Sequence, residues 1–370
     1  ALWGAGIMVG PIIGPTLGGW LTESFNWRYV FFINLPVGII AFLGSAAYLP
    51  RIAQRLRGFD FFGFAMLSLG VGALQLMLDR GGEVDWFSAV EIWIELGLAL
   101  TGFWVFIVHT MTAENSFIDP KIFTDRNFVT GLVFIFVIGV ILLASLALLP
   151  PMLSRLFNHP VITTGLVMAP RGVGTMISML LVGRLVQMVD ARALVVTGLL
   201  MTAASLYYMT GFTPQMDDFL IVATGVLQGL GLGLVFVPLS TVAFATLDPR
   251  FRTDAASLFS LVRNIGSSIG ISIVTVLLTQ NTQINHAELS ANINPFNPNL
   301  WAASPLAAQG NPAALSQIDN LVNQQALMIS YIDDFKLMMV VTLCAIPLAL
   351  LLRKPKARTA AASAPPVHAD

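Results

Sequence analysis

Charge and cysteine are both scarce in this sequence. Only 11% of its 370 residues are Asp, Glu, Lys or Arg, whereas 56% are hydrophobic, and the mean hydropathy is +0.79. Soluble domains have about 25% charged residues, so the composition excludes an ordinary soluble domain and predicts an integral membrane protein. The one cysteine, Cys344, lies in an apolar run, which excludes a disulfide framework and a thiolate metal site.

Several catalytic signatures are also absent from the sequence. It contains no HExxH motif and no P-loop, which argues against a zinc protease and an ATP-driven pump. None of the four histidines has the spacing of a metal ligand or a catalytic base, and no nucleophile–base pair stands out. We therefore expect no enzyme activity, no metal, no cofactor and no nucleic-acid partner.

Ten apolar runs are long enough to cross a bilayer, which requires about 20 residues each. Because they are continuous and do not alternate with polar residues, they predict helices and not barrel strands. The fold class expected is therefore an all-α membrane protein with about ten transmembrane helices. The runs cover residues 1–20, 29–49, 61–79, 92–112, 128–149, 164–182, 194–213, 219–242, 256–279 and 335–352.

The distribution of basic residues predicts the orientation. If the first run leads outward, the inside segments hold 13 of the 19 Lys and Arg residues and the outside segments hold three. This split follows the positive-inside rule and supports the count of ten runs. The inside segments are 50–60, 113–127, 183–193, 243–255 and the tail after 352.

The first run carries a stripe of glycines. Gly6, Gly10, Gly14 and Gly18 recur every fourth residue, so on a helix they form one face without side chains. In water such a helix would be costly, whereas in lipid small-residue faces allow helices to pack closely. A tightly packed transmembrane helix is thus the prediction, with a glycine-rich loop as the alternative.

Several stretches in order resemble one family. They are Gly10-xxx-Gly14-Pro15-xx-Gly18-Gly19, Trp27 to Gly38, Phe59 to Gly63, Leu78 to Phe87, Arg263-Asn264-Ile-Gly266 to Gly270, and Tyr331 to Phe335. The first resembles the antiporter motif of the major facilitator superfamily. Together they resemble the fourteen-span drug:proton antiporters of the EmrB/QacA type.

The resemblance implies a division of the chain. The antiporter motif belongs to the fifth span of that family, so four N-terminal spans would precede a chain that begins Ala1-Leu2-Trp3. Residues 1–49 would then be the last two spans of the N-terminal bundle and 50–127 two linker spans with a cytoplasmic loop. Residues 128–352 would be the six-span C-terminal bundle, and 353–370 a disordered cytoplasmic tail.

The longest outside segment, 280–334, contains no Lys or Arg. Its second half has partial helical spacing of apolar residues, from Leu315 to Ile329. Two interpretations are open: an amphipathic helix on the outer membrane surface, or a disordered spacer in a long periplasmic loop.

A proton-coupled transporter needs a carboxylate that can be shielded from water. None of the 20 acids lies in the middle of a run, so the proton site is expected in the four preceding spans. Within this chain Glu95 is a weak candidate, since it lies only a few residues into its run.

Six residues are candidates for substrate contact or gating. Arg171 lies about eight residues into its run, where a charge is costly and functional by default unless it snorkels to the surface. Arg263, beside Asn264, either snorkels or takes part in gating, for instance by pairing with Asp254. The remaining candidates are the in-span amides Gln75 and Gln228, whose alternative role is interhelical hydrogen bonding, and Phe236 as a cavity wall.

By resemblance, the chain is expected to export amphipathic small molecules across the inner membrane in exchange for protons, by alternating access. Its expected partners are the lipid bilayer, a periplasmic adaptor and an outer-membrane channel. The alternatives are an exporter of the same fold for a siderophore or metabolite, and a truncated product that inserts but cannot transport.

Overall fold

The computed structural model describes residues 14, 16–48, 59–113, 116, 118–291, 293–294 and 297–352. All regular structure within these ranges is helical, and they contain no strand. A helix satisfies every backbone N–H and C=O within its own segment, which is what a span in lipid requires. The expected all-α membrane fold is confirmed.

The helices are labelled in chain order. The described end of the first helix, 16–24, is α1. It is followed by α2 (Tyr29–Phe32), α3 (Asn34–Tyr48), α4 (Phe61–Arg80), α5 (Val90–Thr112), α6 (Arg126–Leu156), α7 (Val161–Met188), α8 (Ala191–Met209), α9 (Asp218–Ala245), α10 (Arg252–Ser290), α11 (Pro298–Ala303), α12 (Pro305–Ala308) and α13 (Pro312–Ala345).

Eight of the predicted spans are helices long and apolar enough to cross a membrane. They correspond to α2 with α3, and to α4 through α10. The predicted span 1–20 lies mostly outside the described residues. The predicted span 335–352 departs from a single helix, since α13 ends at Ala345 and a 3₁₀ segment, Pro347–Leu351, follows. Pro347 has no N–H to donate to the α-helical ladder, so it favours this change.

Helices α6 to α10 and α13 form one bundle, called here the C-terminal bundle. In it α6 packs against α10, α9 and α13, while α9 also packs against α7 and α8. One apolar cluster fills the half near the start of α6, around Phe128 and Phe134. A second fills the half near its end, around Met152, Tyr331 and Phe335.

Glycines allow the closest helix contacts in this bundle. A Cβ added to Gly270 of α10 would lie 2.7 Å from Cα of Val140 in α6. A Cβ added to Gly233 of α9 would lie 2.6 Å from Cβ of Ser178 in α7. Both distances are shorter than real Cβ contacts, so glycine at these two positions allows the helix backbones to approach closely.

Helices α4 and α5 form a hairpin that packs against α10 through α4. Asp60 caps α4 by accepting a hydrogen bond from the Gly63 N–H at 2.8 Å.

The segment 280–334, predicted as a long loop, contains much helix. Helix α10 continues into it as far as Ser290, and α13 begins within it at Pro312. The amphipathic segment from Leu315 to Ile329 is therefore helical, but it is continuous with the last predicted span. The disordered-spacer alternative is wrong for this segment.

Candidate functional site

The C-terminal bundle buries three polar side chains that meet at one point. Arg171 of α7 donates from Nη2 to the Ser145 Oγ of α6 at 3.4 Å. Gln228 of α9 donates from Nε2 to the same oxygen at 3.2 Å. Ser145 in turn donates to the Ile141 carbonyl at 2.6 Å. These three side chains are called here the polar cluster.

The polar cluster lies at one depth in the bundle. Arg171 and Gln228 are each ten residues from the start of their helices, at Val161 and Asp218, and Ser145 is eleven from the end of its helix at Leu156. At 1.5 Å per residue this is about 15 Å from those helix ends. The predicted orientation puts those ends outside, so the cluster would lie near the middle of the bilayer.

The surroundings of the polar cluster are apolar. Arg171 is 6% exposed, and Gln228 and Ser145 are fully buried. Val167 and Met168 precede the arginine on α7 and belong to the apolar cluster around Met152, Tyr331 and Phe335. A guanidinium in such a place is costly unless polar groups contact it. Because it bonds inward to Ser145, it does not snorkel to the outer surface in this structure.

Two features of the polar cluster suit ligand contact. The Gln228 Oε1 atom is buried without a hydrogen-bond partner among the described residues. It can therefore accept a hydrogen bond from a ligand, since the described residues supply none. A Cβ added to Gly229, next to it, would overlap the Arg171 carbonyl oxygen, so glycine at this position allows α7 and α9 to approach closely.

The other predicted residues lie apart from the polar cluster. Arg263 is half-buried on α10 and Asn264 beside it is exposed. Phe236 packs against the apolar cluster around Phe128 and Phe134. Gln75 donates to Asp79 of its own helix α4 at 2.8 Å. Glu95 is half-buried on α5, with Oε2 unpartnered among the described residues. Their roles in transport stay predictions.

The antiporter-motif glycines are only partly described. Gly6, Gly10 and Pro15 lie outside the described residues, while Gly14 and Gly18 have nothing within 4 Å of an added Cβ. Gly19 is different, since its added Cβ would lie 3.0 Å from the Val161 carbonyl at the start of α7. Helix α1 thus contacts the C-terminal bundle there.

Two hydrogen bonds support this contact between α1 and α7. Thr16 donates to the Gly165 carbonyl at 3.3 Å, and Glu23 accepts from the Ile162 N–H at 3.1 Å.

Two clefts lie between α4 and α10. One, about 470 Å³, is lined by the turn around Asp85 and by α10 from Ile271 to Gln283. The other, about 620 Å³, is lined by α4 from Phe64 to Gly72 and by α10 from Asp254 to Leu261. The polar cluster lines neither cleft, because its side chains are buried in this conformation.

Sequence reasoning missed two kinds of polar site. His109 lies 3.0 Å from both carboxylate oxygens of Asp60, a partnership that a separation of 49 residues does not reveal. Asp334 of α13 is 1% exposed, and neither carboxylate oxygen has a hydrogen-bond partner among the described residues. Helical spacing could have found it, because Tyr331 and Met338 lie three residues before and four after on the same buried face.

Comparison with known proteins identifies the family. Residues 1–271 match the family model described as Major Facilitator Superfamily. The chain belongs to this superfamily. The multidrug export protein EmrB of Escherichia coli K12 is 34% identical over 341 residues, which cover 90% of this chain and 67% of EmrB.

Two further relatives of this major facilitator protein have similar coverage. The fatty acid resistance protein FarB of Neisseria gonorrhoeae is 31% identical over 361 residues, covering 96% of this chain and 71% of FarB. The probable multidrug resistance protein EmrY of Escherichia coli K12 is 30% identical over 343 residues. Together they place the chain in the EmrB-type drug:proton antiporter family, as its motifs predict. It is thus a multi-pass membrane transporter.

Proposed function

We propose that this transporter exports amphipathic organic molecules across the inner membrane in exchange for protons, by alternating access. The observation that carries the proposal is the similarity to EmrB, a multidrug export protein, over nine-tenths of the chain. The fold supports it as well, since packed helices with a polar cluster near mid-membrane suit a substrate path between two bundles.

The polar cluster supplies the substrate contact in this proposal. When the two bundles separate, Arg171 and Gln228 become accessible from the cavity between them. Arg171 then offers N–H donors, and Gln228 offers the amide oxygen that has no partner in the closed state. The apolar side chains around them accept the hydrophobic part of an amphipathic molecule.

Substitution of Arg171 tests this assignment. In cells that lack their own drug pumps, we expect Arg171→Ala to reduce ethidium efflux by about tenfold or more. A charge-assisted hydrogen bond contributes about 1.5–3 kcal/mol, and 1.4 kcal/mol corresponds to a factor of ten. Ethidium fluorescence in de-energised and re-energised cells measures the rate.

The matched control is Arg250→Ala, because Arg250 is exposed and pairs only locally with Asp248 at 3.2 Å. It should leave efflux unchanged. Normal efflux by Arg171→Ala at equal protein level would show that the polar cluster does not contact the substrate. No efflux by the unsubstituted protein would contradict the proposed function for this substrate.

A second candidate substrate is a long-chain carboxylate. Two observations favour it: the buried Arg171, whose guanidinium matches a carboxylate in geometry and charge, and the name of FarB, a fatty acid resistance protein. Growth in the presence of a long-chain fatty acid, with and without Arg171→Lys, tests it. Lysine keeps the charge but loses the bidentate geometry, so resistance should fall if the substrate is a carboxylate.

We also propose, from family membership, that the transporter works with a periplasmic adaptor and an outer-membrane channel. The outer ends of α10 and α13 with the short helices α11 and α12 offer the surface for it. Crosslinking from cysteines introduced in 297–312 to an adaptor tests this partnership.

A further inference from the structure

The face of α13 that packs into the C-terminal bundle carries one acid. Its buried positions include Tyr331, Asp334, Phe335, Met338 and Thr342, which follow helical spacing. Apart from Asp334 these side chains are apolar, aromatic or hydroxyl. The helices that pack against this face are α10, α8 and α6. Asp334 is therefore a carboxylate on a core-packing surface.

The acid next to it in sequence faces the opposite way. Asp333 is partly exposed and accepts from the Lys336 Nζ at 3.1 Å on the same helix. Asp333 thus has a cation and solvent beside it, whereas Asp334 is 1% exposed. Two consecutive carboxylates lie in opposite environments because successive residues on a helix are about 100° apart.

The part of the chain that the structure describes offers the Asp334 carboxylate no hydrogen-bond donor. Neither of its oxygens has a hydrogen-bond partner among the described residues, and the Tyr331 hydroxyl three residues earlier is also buried without one. A buried ionised carboxylate without a partner is far more costly than a neutral carboxylic acid. Burial without a partner therefore favours the neutral acid over the carboxylate.

The neighbouring helices α6, α8 and α10 carry several charged and titratable groups. On α6, Arg155 at the outer end acts electrostatically on Tyr331. Helix α8 offers Arg192 at its start and the exposed Tyr207 and Tyr208 near its end. Helix α10 carries Arg252, Asp254 and Arg263 in its first part and His286, paired with Asp319, and Glu288 in its last turns. None of them has a hydrogen bond to Asp334 among the described residues.

We propose that Asp334 is a proton-carrying residue of the C-terminal bundle. In the packed arrangement its carboxyl group holds a proton. When α13 separates from α8 and α10, water reaches the carboxyl group, the O–H bond breaks, and the proton leaves for the solvent while the carboxylate remains. Repacking requires that the carboxylate take up a proton again, so proton binding is linked to the movement of α13. This inference rests on the proposed proton coupling.

The test compares Asp334→Asn with Asp333→Asn in the full gene product, purified and reconstituted into liposomes. Asparagine has the shape of the protonated acid but cannot exchange a proton. Ethidium is the probe in two modes: accumulation driven by a pH gradient, and exchange of ethidium for ethidium without a gradient. We expect Asp334→Asn to lose the gradient-driven mode by at least about tenfold and to keep exchange.

The control, Asp333→Asn, should retain both modes, since the Asp333 carboxylate is partly exposed and paired with Lys336 and does not need a proton for helix packing. Gradient-driven transport by Asp334→Asn at the unsubstituted rate would overturn the proposal. Equal loss of both modes would also overturn it, since the acid would then serve substrate binding or packing. Failure of the unsubstituted protein to accumulate ethidium would instead contradict the proposed function, and the inference with it.

A second measurement does not depend on transport. Infrared difference spectra of the purified protein between acidic and basic buffer report the carbonyl stretch of a protonated carboxylic acid. We expect a band that disappears in Asp334→Asn and persists in Asp333→Asn. Absence of any band assigned to Asp334 would mean that this carboxyl group exchanges no proton between the two buffers, and would overturn the proposal even if transport were impaired.

Discussion

At the scale of single residues, Ser145 holds the polar cluster together. Its hydroxyl has one donor and two acceptor sites. The donor bonds to the Ile141 carbonyl, and the oxygen accepts from both Arg171 and Gln228. A hydroxyl of this small size thus joins three helices of the bundle.

Removal of this hydroxyl should destabilise the bundle. We expect Ser145→Ala to cost about 1–3 kcal/mol, because the Gln228 amide loses its acceptor in a buried place. Thermal unfolding in detergent measures the change as a lower midpoint. Ser154→Ala, an exposed serine on the same helix that bonds only to the Pro151 carbonyl, is the control. Equal midpoints for both variants would contradict the role of Ser145.

The sequence predicts part of the polar cluster but not all of it. Arg171 stands out because a cation in an apolar run is rare and costly. Ser145 does not, since a serine among alanines and leucines satisfies its own hydroxyl on the preceding turn in most helices. Asp334 is missed because the apolar run begins only at Phe335, which makes the preceding acids look like the solvated edge of a loop.

At the scale of helices, the contact between α7 and α9 depends more on Gly229 than on Gly225, one turn earlier in α9. A Cβ at Gly229 would overlap the Arg171 carbonyl, whereas a Cβ at Gly225 would lie 3.5 Å from the Arg171 Cβ, an ordinary contact. We expect Gly229→Ala to cost about 1–3 kcal/mol by overpacking and Gly225→Ala to be tolerated. Thermal unfolding of the two variants side by side decides, and equal stability would contradict the close approach.

The positions of the spans could be predicted, but their ends could not. Hydropathy finds the apolar runs because lipid admits few polar residues. Helix α10, however, continues to Ser290 through polar residues, since no Gly or Pro stops it between 280 and 290. Helix α13 begins early because Asn311 caps it, accepting from the Ala313 N–H at 3.0 Å, and Pro312 occupies the first helical position. Both ends depend on local caps that hydropathy ignores.

At the scale of the whole molecule, Gly19 lies at a contact between α1 and the C-terminal bundle. A side chain there would press on the backbone of Val161, the first residue of α7. We expect Gly19→Leu to reduce ethidium efflux several-fold in the full gene product without loss of membrane insertion, because the two parts can no longer approach. Efflux together with protein level in membranes measures this, and unchanged efflux would contradict the contact.

Gly14→Leu tests whether the glycine stripe of α1 packs against a neighbour in a conformation other than this one. Among the described residues, nothing lies within 4 Å of a Cβ added to Gly14, so this structure shows no close neighbour at that position. Loss of efflux in Gly14→Leu would show that the glycine stripe closes on a neighbour in another conformation. Normal efflux would limit close packing on this helix to Gly19.

The length of α10 would couple the two clefts beside it if this helix tilted as a rigid rod about its middle. Its 39 residues make it about 58 Å long, and both clefts against α4 lie along it, one toward each end. A tilt of about 10° about its middle moves the two tips about 5 Å in opposite directions. One cleft therefore narrows as the other widens. A stiff helix of this length would in that way link the widths of the two clefts without any signal passing through side chains.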